Sequence, residues 1–307
     1  MRTTEALATL ARVANRDALP FARRVLSSAE ERIEASWRSV VGHEIEERLT
    51  RVALASKGQV DPFGLDLAWG KYALTAVAFL HRRYFRTRTY GLENVPDGRV
   101  LLISNHSGQV PIDGAMIGAS LFFDREPPRI IRSMVEKWTQ TLPFVSVLFQ
   151  RVGQVVGVPE NARRLLFNGE AVLVFPEGAR GISKPFSQRY RLTEFGLGFL
   201  RLALETDTPI VPVAVVGAEE QYVNLANLTS VAKLVGMPTF PLVPQWFIPG
   251  LQLPLPTRYH IHFGKPLRFE GDPDDDDAVI EEKVWVVKTT IQEMLNQGLK
   301  ARKGVFL

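Results

Sequence analysis

The 307-residue chain contains no cysteine. Disulfides, thiolate-held zinc or iron–sulfur centres and cysteine nucleophiles are therefore excluded as chemistry for this sequence. No apolar run approaches the roughly 18 to 20 residues that a membrane-spanning helix needs. The N-terminal segment also lacks the successive basic, apolar and small-residue zones of a secretory signal. The expectation is a cytoplasmic protein that is not integral to a membrane. No Gly-x-Ser-x-Gly elbow occurs, which argues against a serine hydrolase even though a serine, Ser107, follows a histidine. Basic and aromatic residues do not interleave regularly, so no nucleic-acid partner is expected. His260 and His262 share a strand face at their spacing of two, but a third ligand is missing within reach in sequence, and no metal site is expected. Internal repeats and low-complexity tracts are absent as well.

What is present is enough to bury a sizeable core: 46% of the residues are hydrophobic and 23% charged. The net charge of +4 conceals a segregation. Residues 1–90 sum to about +5 and residues 125–201 to about +6, with the remainder negative. Such an asymmetry suits an anionic partner, such as phospholipid headgroups, a nucleotide-bearing donor or an acidic carrier protein.

From residue 20 to about residue 56, apolar residues such as Trp37, Val41, Ile45, Leu49 and Val52 recur at three- and four-residue steps among charges, the period of an amphipathic helix. A second helix is expected from Leu65 to Tyr84. It leads into the border Arg82-Arg83-Tyr84-Phe85-Arg86, whose aromatic and guanidinium groups suit either a lipid headgroup region or the basic end of a packing helix. Beyond the turn residues Asn94 to Gly98 come short apolar runs of strand length: 100–104, 154–158, 171–175, 210–216 and 259–263. Helix-like pieces at 113–123, 159–168 and 193–205 separate them. This alternation predicts an α/β fold, a mixed sheet flanked by helices with an N-terminal amphipathic helical region. The expected division is 1–90 helical, 91–270 the sheet domain and 271–307 a C-terminal helix. That last helix packs Ile280, Val284, Val287, Ile291 and Leu295 on the core, after a run of five aspartates that suits its N-terminus. Six prolines between residues 236 and 256 preclude long regular structure there. Trp246 and Phe247 in that stretch suit contact with lipid, the cover of an acyl channel or a buried surface loop.

Three segments can carry chemistry or shape its surroundings. Ser104-Asn105-His106-Ser107-Gly108 through Asp113-Gly114 follows one strand and precedes a helix, the place where sites gather in α/β proteins. A neutral imidazole at His106 can take a proton from an attacking hydroxyl, and a carboxylate at Asp113 can fix its tautomer. Phe175-Pro176-Glu177-Gly178-Ala179-Arg180 ends another strand and offers Arg180 as an anion ligand beside backbone amides, or as the partner of Glu177 in a strand-end ion pair. Thr208-Pro209-Ile210-Val211-Pro212-Val213 is apolar and is expected to shape a pocket wall.

In order and approximate spacing, these three segments resemble the glycerolipid acyltransferase family, which includes the lysophosphatidic acid acyltransferases of bacterial phospholipid synthesis. The resemblance spans about residues 91–270. It implies acyl transfer from acyl-CoA or acyl carrier protein to a lipid hydroxyl at a membrane surface, with no permanently bound cofactor. By it, His106 is the general base, Asp113 its orienting partner, and Glu177, Gly178 and Arg180 the acceptor-binding residues. The sequence departs from the family in three ways. Six residues rather than four separate His106 from Asp113. The stretch Gly153 to Pro159 lacks the family's acid and arginine, which leaves room for diacylglycerol or another alcohol as acceptor. Ala179 stands where the family has threonine. A non-catalytic lipid-binding protein is the alternative if the longer interval separates histidine from aspartate.

Overall fold

The computed structural model describes residues 42–55, 61–108, 110–137, 139, 145–234, 240–248 and 252–306. The part of the first expected helix before residue 42 lies outside them, and its remainder forms α1 (Gly42–Ala55). Helix α2 (Leu67–Phe79) is capped by Asp66, whose carboxylate accepts the Trp69 N–H, and runs on through a π-turn to Tyr84. Seven strands make the main sheet: β1 (Arg88–Tyr90), β2 (Val100–Ser104), β3 (Ile131–Val135), β4 (Val155–Val156), β5 (Ala171–Val174), β6 (Ile210–Val216) and, near the end of the chain, β9 (His260–Phe263). A small antiparallel pair, β7 (Ala226–Asn227) and β8 (Pro241–Leu242), lies between β6 and β9 in sequence, with α8 (Thr229–Leu234) between its strands, and α4 (Val145–Arg151) precedes β4.

The strand order is β1-β9-β6-β2-β5-β3-β4. The five strands from β6 to β4 are parallel, whereas β9 pairs antiparallel with β6 and carries β1 beside it in parallel. The ends of β2, β5 and β6 and the starts of β9 and β1 therefore share one edge. Every residue of β2 and β6 is buried, the reason these strands read as unbroken apolar runs. Alternate side chains serve opposite faces. Leu101, Ile103 and Val172 pack against α5 (Pro159–Phe167), α7 (Gly198–Glu205) and α9 (Asp277–Ala301); Val100, Leu102 and Leu173 pack against α2 and α3 (Ile112–Ala119). The stripe Ile280, Val284, Val287, Ile291 and Leu295 of α9 is wholly buried on the first of these faces.

The structure locates two of the segments read from the sequence. From Ile210 the segment 208–213 is part of the central strand β6, flanked by β2 and β9 and wholly buried from Ile210 onward. The basic-aromatic border after α2 is mostly committed internally. Phe85 is buried in the core, the Tyr84 hydroxyl donates to the Pro254 carbonyl at 2.5 Å, and Arg82 holds Glu44 of α1 through two bonds of 2.8 and 2.6 Å. These contacts are those of the basic end of a packing helix, one of the two readings that the sequence allows.

Candidate active site

β2 and β5 are hydrogen-bonded neighbours, so the turns that follow them lie side by side. At the end of β2, Asn105 is buried and bonds the β6 backbone twice, donating to the Val215 carbonyl at 3.1 Å and accepting the Val215 N–H at 2.8 Å. That two-sided tie fixes where the chain leaves the sheet. His106 comes next, and its Nδ1 lies 2.8 Å from Asp113 Oδ2. Asp113 sits in the first turn of α3 with its side chain 0% exposed; Oδ2 also accepts the Ser107 N–H at 2.9 Å and Oδ1 accepts the Gly114 N–H at 2.8 Å. The longer interval does not separate the pair, because Val110 and Pro111 turn outward and are exposed, while the Gln221 side-chain amide donates to the Gly108 carbonyl at 2.9 Å. With Nδ1 engaged by the carboxylate, Nε2 is the nitrogen left to take a proton. The ring of Phe175 stacks on His106 with centroids 4.0 Å apart. Ser107 Oγ is buried and without a hydrogen-bond partner, so it is not engaged by the imidazole as a nucleophile would be.

The turn after β5 supports this histidine from below. Glu177 Oε1 accepts the His106 N–H at 3.0 Å, and Oε2 accepts the Thr193 N–H and hydroxyl at 2.8 and 2.9 Å. Lys184 Nζ lies 3.5 Å from the same oxygen and 3.1 Å from Glu219 Oε1, all three side chains being buried. Glu177 was expected to bind the acceptor; its buried, fully engaged carboxylate instead clamps the two site turns together. Ion pairs of this kind cost heavily when one member is removed. Burial pushes the Glu219 carboxyl up to about 7, against the pull of Lys184. A small cavity lined by Gly108, Gly181, Lys184, Glu219, Tyr222 and Asn224, among others, lies beside this cluster.

Gly178 has φ 56° and ψ −148°, a backbone region open essentially to glycine alone. It swings the chain into the one-turn helix α6 (Ala179–Ile182), where a Cβ on Gly181 would lie 3.0 Å from the Cβ and carbonyl oxygen of His106. Arg180 projects from this turn at the mouth of the site, 60% exposed, and bonds Glu194 at 3.0 Å. Glu177 is thus not its strand-end partner. The Ala179 N–H donates to Glu136 Oε1 at 2.9 Å. Glu136, Lys184 and Gln221 were missed from sequence. Glu136 follows β3, whose apolar pattern is broken by Arg132; that arginine is buried because Asp61 and the Gly153 carbonyl hold it at 2.6 and 2.9 Å. A polar strand flanking β5 was the signal available.

A histidine–aspartate pair and an arginine-bearing glycine turn, set on adjacent strand ends of a largely parallel sheet, define an acyltransferase-type site. The acyltransferase family model matches residues 86–216, which contain both turns. The chain belongs to this family. An uncharacterized Mycobacterium tuberculosis protein is 34% identical over 264 residues, covering 83% of this chain and 74% of its own length. The Gallus gallus protein named DGAT1/2-independent enzyme synthesizing storage lipids is 24% identical over 69% of this chain and 59% of its own. A probable 1-acyl-sn-glycerol-3-phosphate acyltransferase of Mycoplasma pneumoniae is 27% identical over 46% of this chain and 53% of its own. The fold is that of the Thermotoga maritima 1-acyl-sn-glycerophosphate acyltransferase PlsC, with a TM-score of 0.50 at 19% identity over 89% of this chain and 96% of that one.

Proposed function

We propose that this acyltransferase moves a fatty acyl group from an acyl thioester, acyl-CoA or acyl carrier protein, to the hydroxyl of a glycerolipid such as lysophosphatidic acid or another lysophospholipid. The observation that carries the reading is the 2.8 Å contact between His106 Nδ1 and a fully buried Asp113. Nε2 of His106 accepts the proton as the acceptor oxygen attacks the thioester carbonyl. The tetrahedral intermediate then collapses, the carbon–sulfur bond breaks, and the imidazolium returns its proton to the departing thiolate. Asp113 holds the tautomer and stabilises the transient imidazolium; base catalysis of this kind contributes about 10² to 10⁴ in rate. No enzyme-bound acyl intermediate is needed. Arg180 at the mouth meets an acceptor phosphate. The reaction takes place at a cytoplasmic membrane face, to which the protein binds peripherally; among the described residues no helix is long and apolar enough to cross a membrane.

One observation favours a second reading, transfer to diacylglycerol or another uncharged lipid alcohol. The cation and amide that would greet a phosphate are both already met by acids, Arg180 by Glu194 and the Ala179 N–H by Glu136. Acyl transfer from labelled oleoyl-CoA, and then from oleoyl carrier protein, to a panel of lysophosphatidic acid, lysophospholipids and diacylglycerol decides between them. Esterification of phosphate-bearing acceptors supports the first reading, and of diacylglycerol alone the second. No transfer from either donor to any acceptor would defeat both and leave a lipid-binding protein.

A further inference from the structure

Residues 221–257, between β6 and β9, contain a single charged residue, Lys233, in a chain that is 23% charged. Of these, the described residues 221–234, 240–248 and 252–257 form a lobe that holds β7, β8 and a 3₁₀ turn at Pro244–Phe247. While Tyr222 and Val243 pack inward, four of its large apolar side chains face outward: Leu225 is 57% exposed, Phe247 66%, Ile248 46% and Leu253 70%. An apolar, nearly charge-free surface of this kind is unfavourable against water and marks a contact site. The lobe is nevertheless firmly rooted. The Asn224 amide donates to the carbonyls of Ser183 and Lys184 at 2.9 and 3.1 Å, and Gln221 holds the Gly108 carbonyl of the His106 turn.

At the root of the lobe, three arginines gather. Arg86 is committed to the carbonyls of Tyr84, Pro256 and Phe306 at 3.1, 2.7 and 3.3 Å, and beside it the Arg88 N–H donates to the Tyr259 carbonyl, next in sequence to Arg258. Among the described residues none of the three has an acidic partner within ion-pair distance, and the buried Arg258 Nε makes no hydrogen bond. Burial, with the charges of Arg88 and Arg86, lowers the Arg258 pKa. The Arg88 and Arg258 guanidinium groups, left together without a carboxylate, await an anion from outside. Because β9 and β1 run against β6, these arginines, at or just before the starts of those strands, lie on the sheet edge from which the lobe and His106 project.

We infer that the described lobe residues 221–234, 240–248 and 252–257, together with Arg88 and Arg258, form one docking face for an anionic phospholipid bilayer, with the apolar side chains entering the surface and the two arginines meeting headgroup phosphates. A bilayer fits this combination because it alone offers an apolar layer directly beneath a plane of phosphates. The inference deepens the acyl-transfer reading by bringing the mouth of the site to the layer that holds its lipid acceptor, and it is read by binding without catalysis.

Flotation with vesicles of mixed phosphatidylglycerol and phosphatidylcholine, and of phosphatidylcholine alone, tests it. The full chain is expected to float with the mixed vesicles, less with phosphatidylcholine, and less again as salt rises. Phe247→Asp and Leu253→Asp are each expected to weaken binding about tenfold or more, and Arg88→Gln with Arg258→Gln by a similar factor on the anionic vesicles alone. Leu54→Asp on α1 and Phe79→Asp on α2, equally exposed apolar sites on the helical face, are expected to bind like the parent. Urea-unfolding midpoints verify that each variant is folded. Loss confined to the α1 and α2 variants, equal binding by all variants, or no flotation of the parent with self-association that Leu253→Asp abolishes would overturn the inference. Absence of acyl transfer would defeat the reaction and leave the flotation result to decide the docking face.

Discussion

The turns after β2 and β5 carry their charges inward, whereas the lobe after β6 carries apolar side chains outward, and both reach the same edge of one sheet. Around His106 the carboxylates of Asp113 and Glu177 are enclosed, each accepting backbone N–H groups as well as a side-chain partner. In the lobe, Phe247 and Leu253 have little of the protein against them. A buried, fully partnered carboxylate holds an imidazole in one place, because displacing it exposes an uncompensated charge. An exposed apolar loop fixes nothing and adapts to what it meets. Precision and adaptability are therefore allotted to separate segments, joined through Gln221 and Asn224.

That contrast is sharpened most by Asp113→Asn. Loss of the carboxylate deprives Nδ1 of its acceptor, and kcat/KM for acyl transfer is expected to fall by about 10² to 10⁴. An activity within a few-fold of the parent would detach Asp113 from the chemistry. Glu177→Ala is expected to act on the fold: it strips the His106 and Thr193 N–H groups of their acceptor and lowers the unfolding free energy in urea by about 3 kcal/mol or more. A raised KM with unchanged stability would return Glu177 to the role of acceptor ligand.

A pH series probes the other end of the same edge. His260 on β9 is held neutral, its pKa pushed down to about 4 by burial first, then by His262 and the nearby arginines Arg88, Arg258 and Arg302. The unfolded chain binds that proton from about pH 6.5 downward and the folded chain does not, so stability is lost as pH falls from about 6.5 to about 4, by about 1 to 3 kcal/mol. Glu219 contributes in the opposite sense, its raised pKa favouring the fold as pH drops from about 7. His260→Gln is expected to flatten the acid limb of a urea-unfolding series; an unchanged slope would show that His260 does not govern it.

Smaller effects belong to the exposed groups. Arg180→Gln removes an exposed ion pair with Glu194 and is expected to change stability by less than about 1 kcal/mol. It should raise KM for a phosphate-bearing acceptor about tenfold or more and leave an uncharged acceptor unaffected; equal effects on both would mean that Arg180 reads no phosphate. Phe247→Asp is expected to leave stability within about 0.5 kcal/mol, the mark of a side chain without internal partners.

The sheet was legible where its strands are mostly buried, and the half-buried edge strand β4 was read within the run 154–158. β2, β5, β6 and β9 stand out as apolar runs, and the buried stripe of α9 appears at its helical spacing. β3 and β1 were not legible, because Arg132 and Arg88 break their apolar character: the first is paired with Asp61, and the second lies on the edge strand. In the site, His106 and Asp113 were visible from their place after a strand, but the outward turn that reunites them across six residues depends on Gln221, more than a hundred residues later. The inward role of Glu177 was hidden for a similar reason, since Thr193 and Lys184, two of the partners that enclose it, follow at distances no local pattern reveals.

The role of His106 as general base is tested most directly by single-turnover acyl transfer from labelled oleoyl-CoA, or oleoyl carrier protein, to the best acceptor by the parent and by His106→Ala, with both shown to be folded by their urea midpoints. Transfer by the parent is expected, with a loss of about 10² or more in His106→Ala and no acyl-enzyme trapped in either. Transfer that persists without His106, or an acyl group covalently held by the protein, would contradict that role.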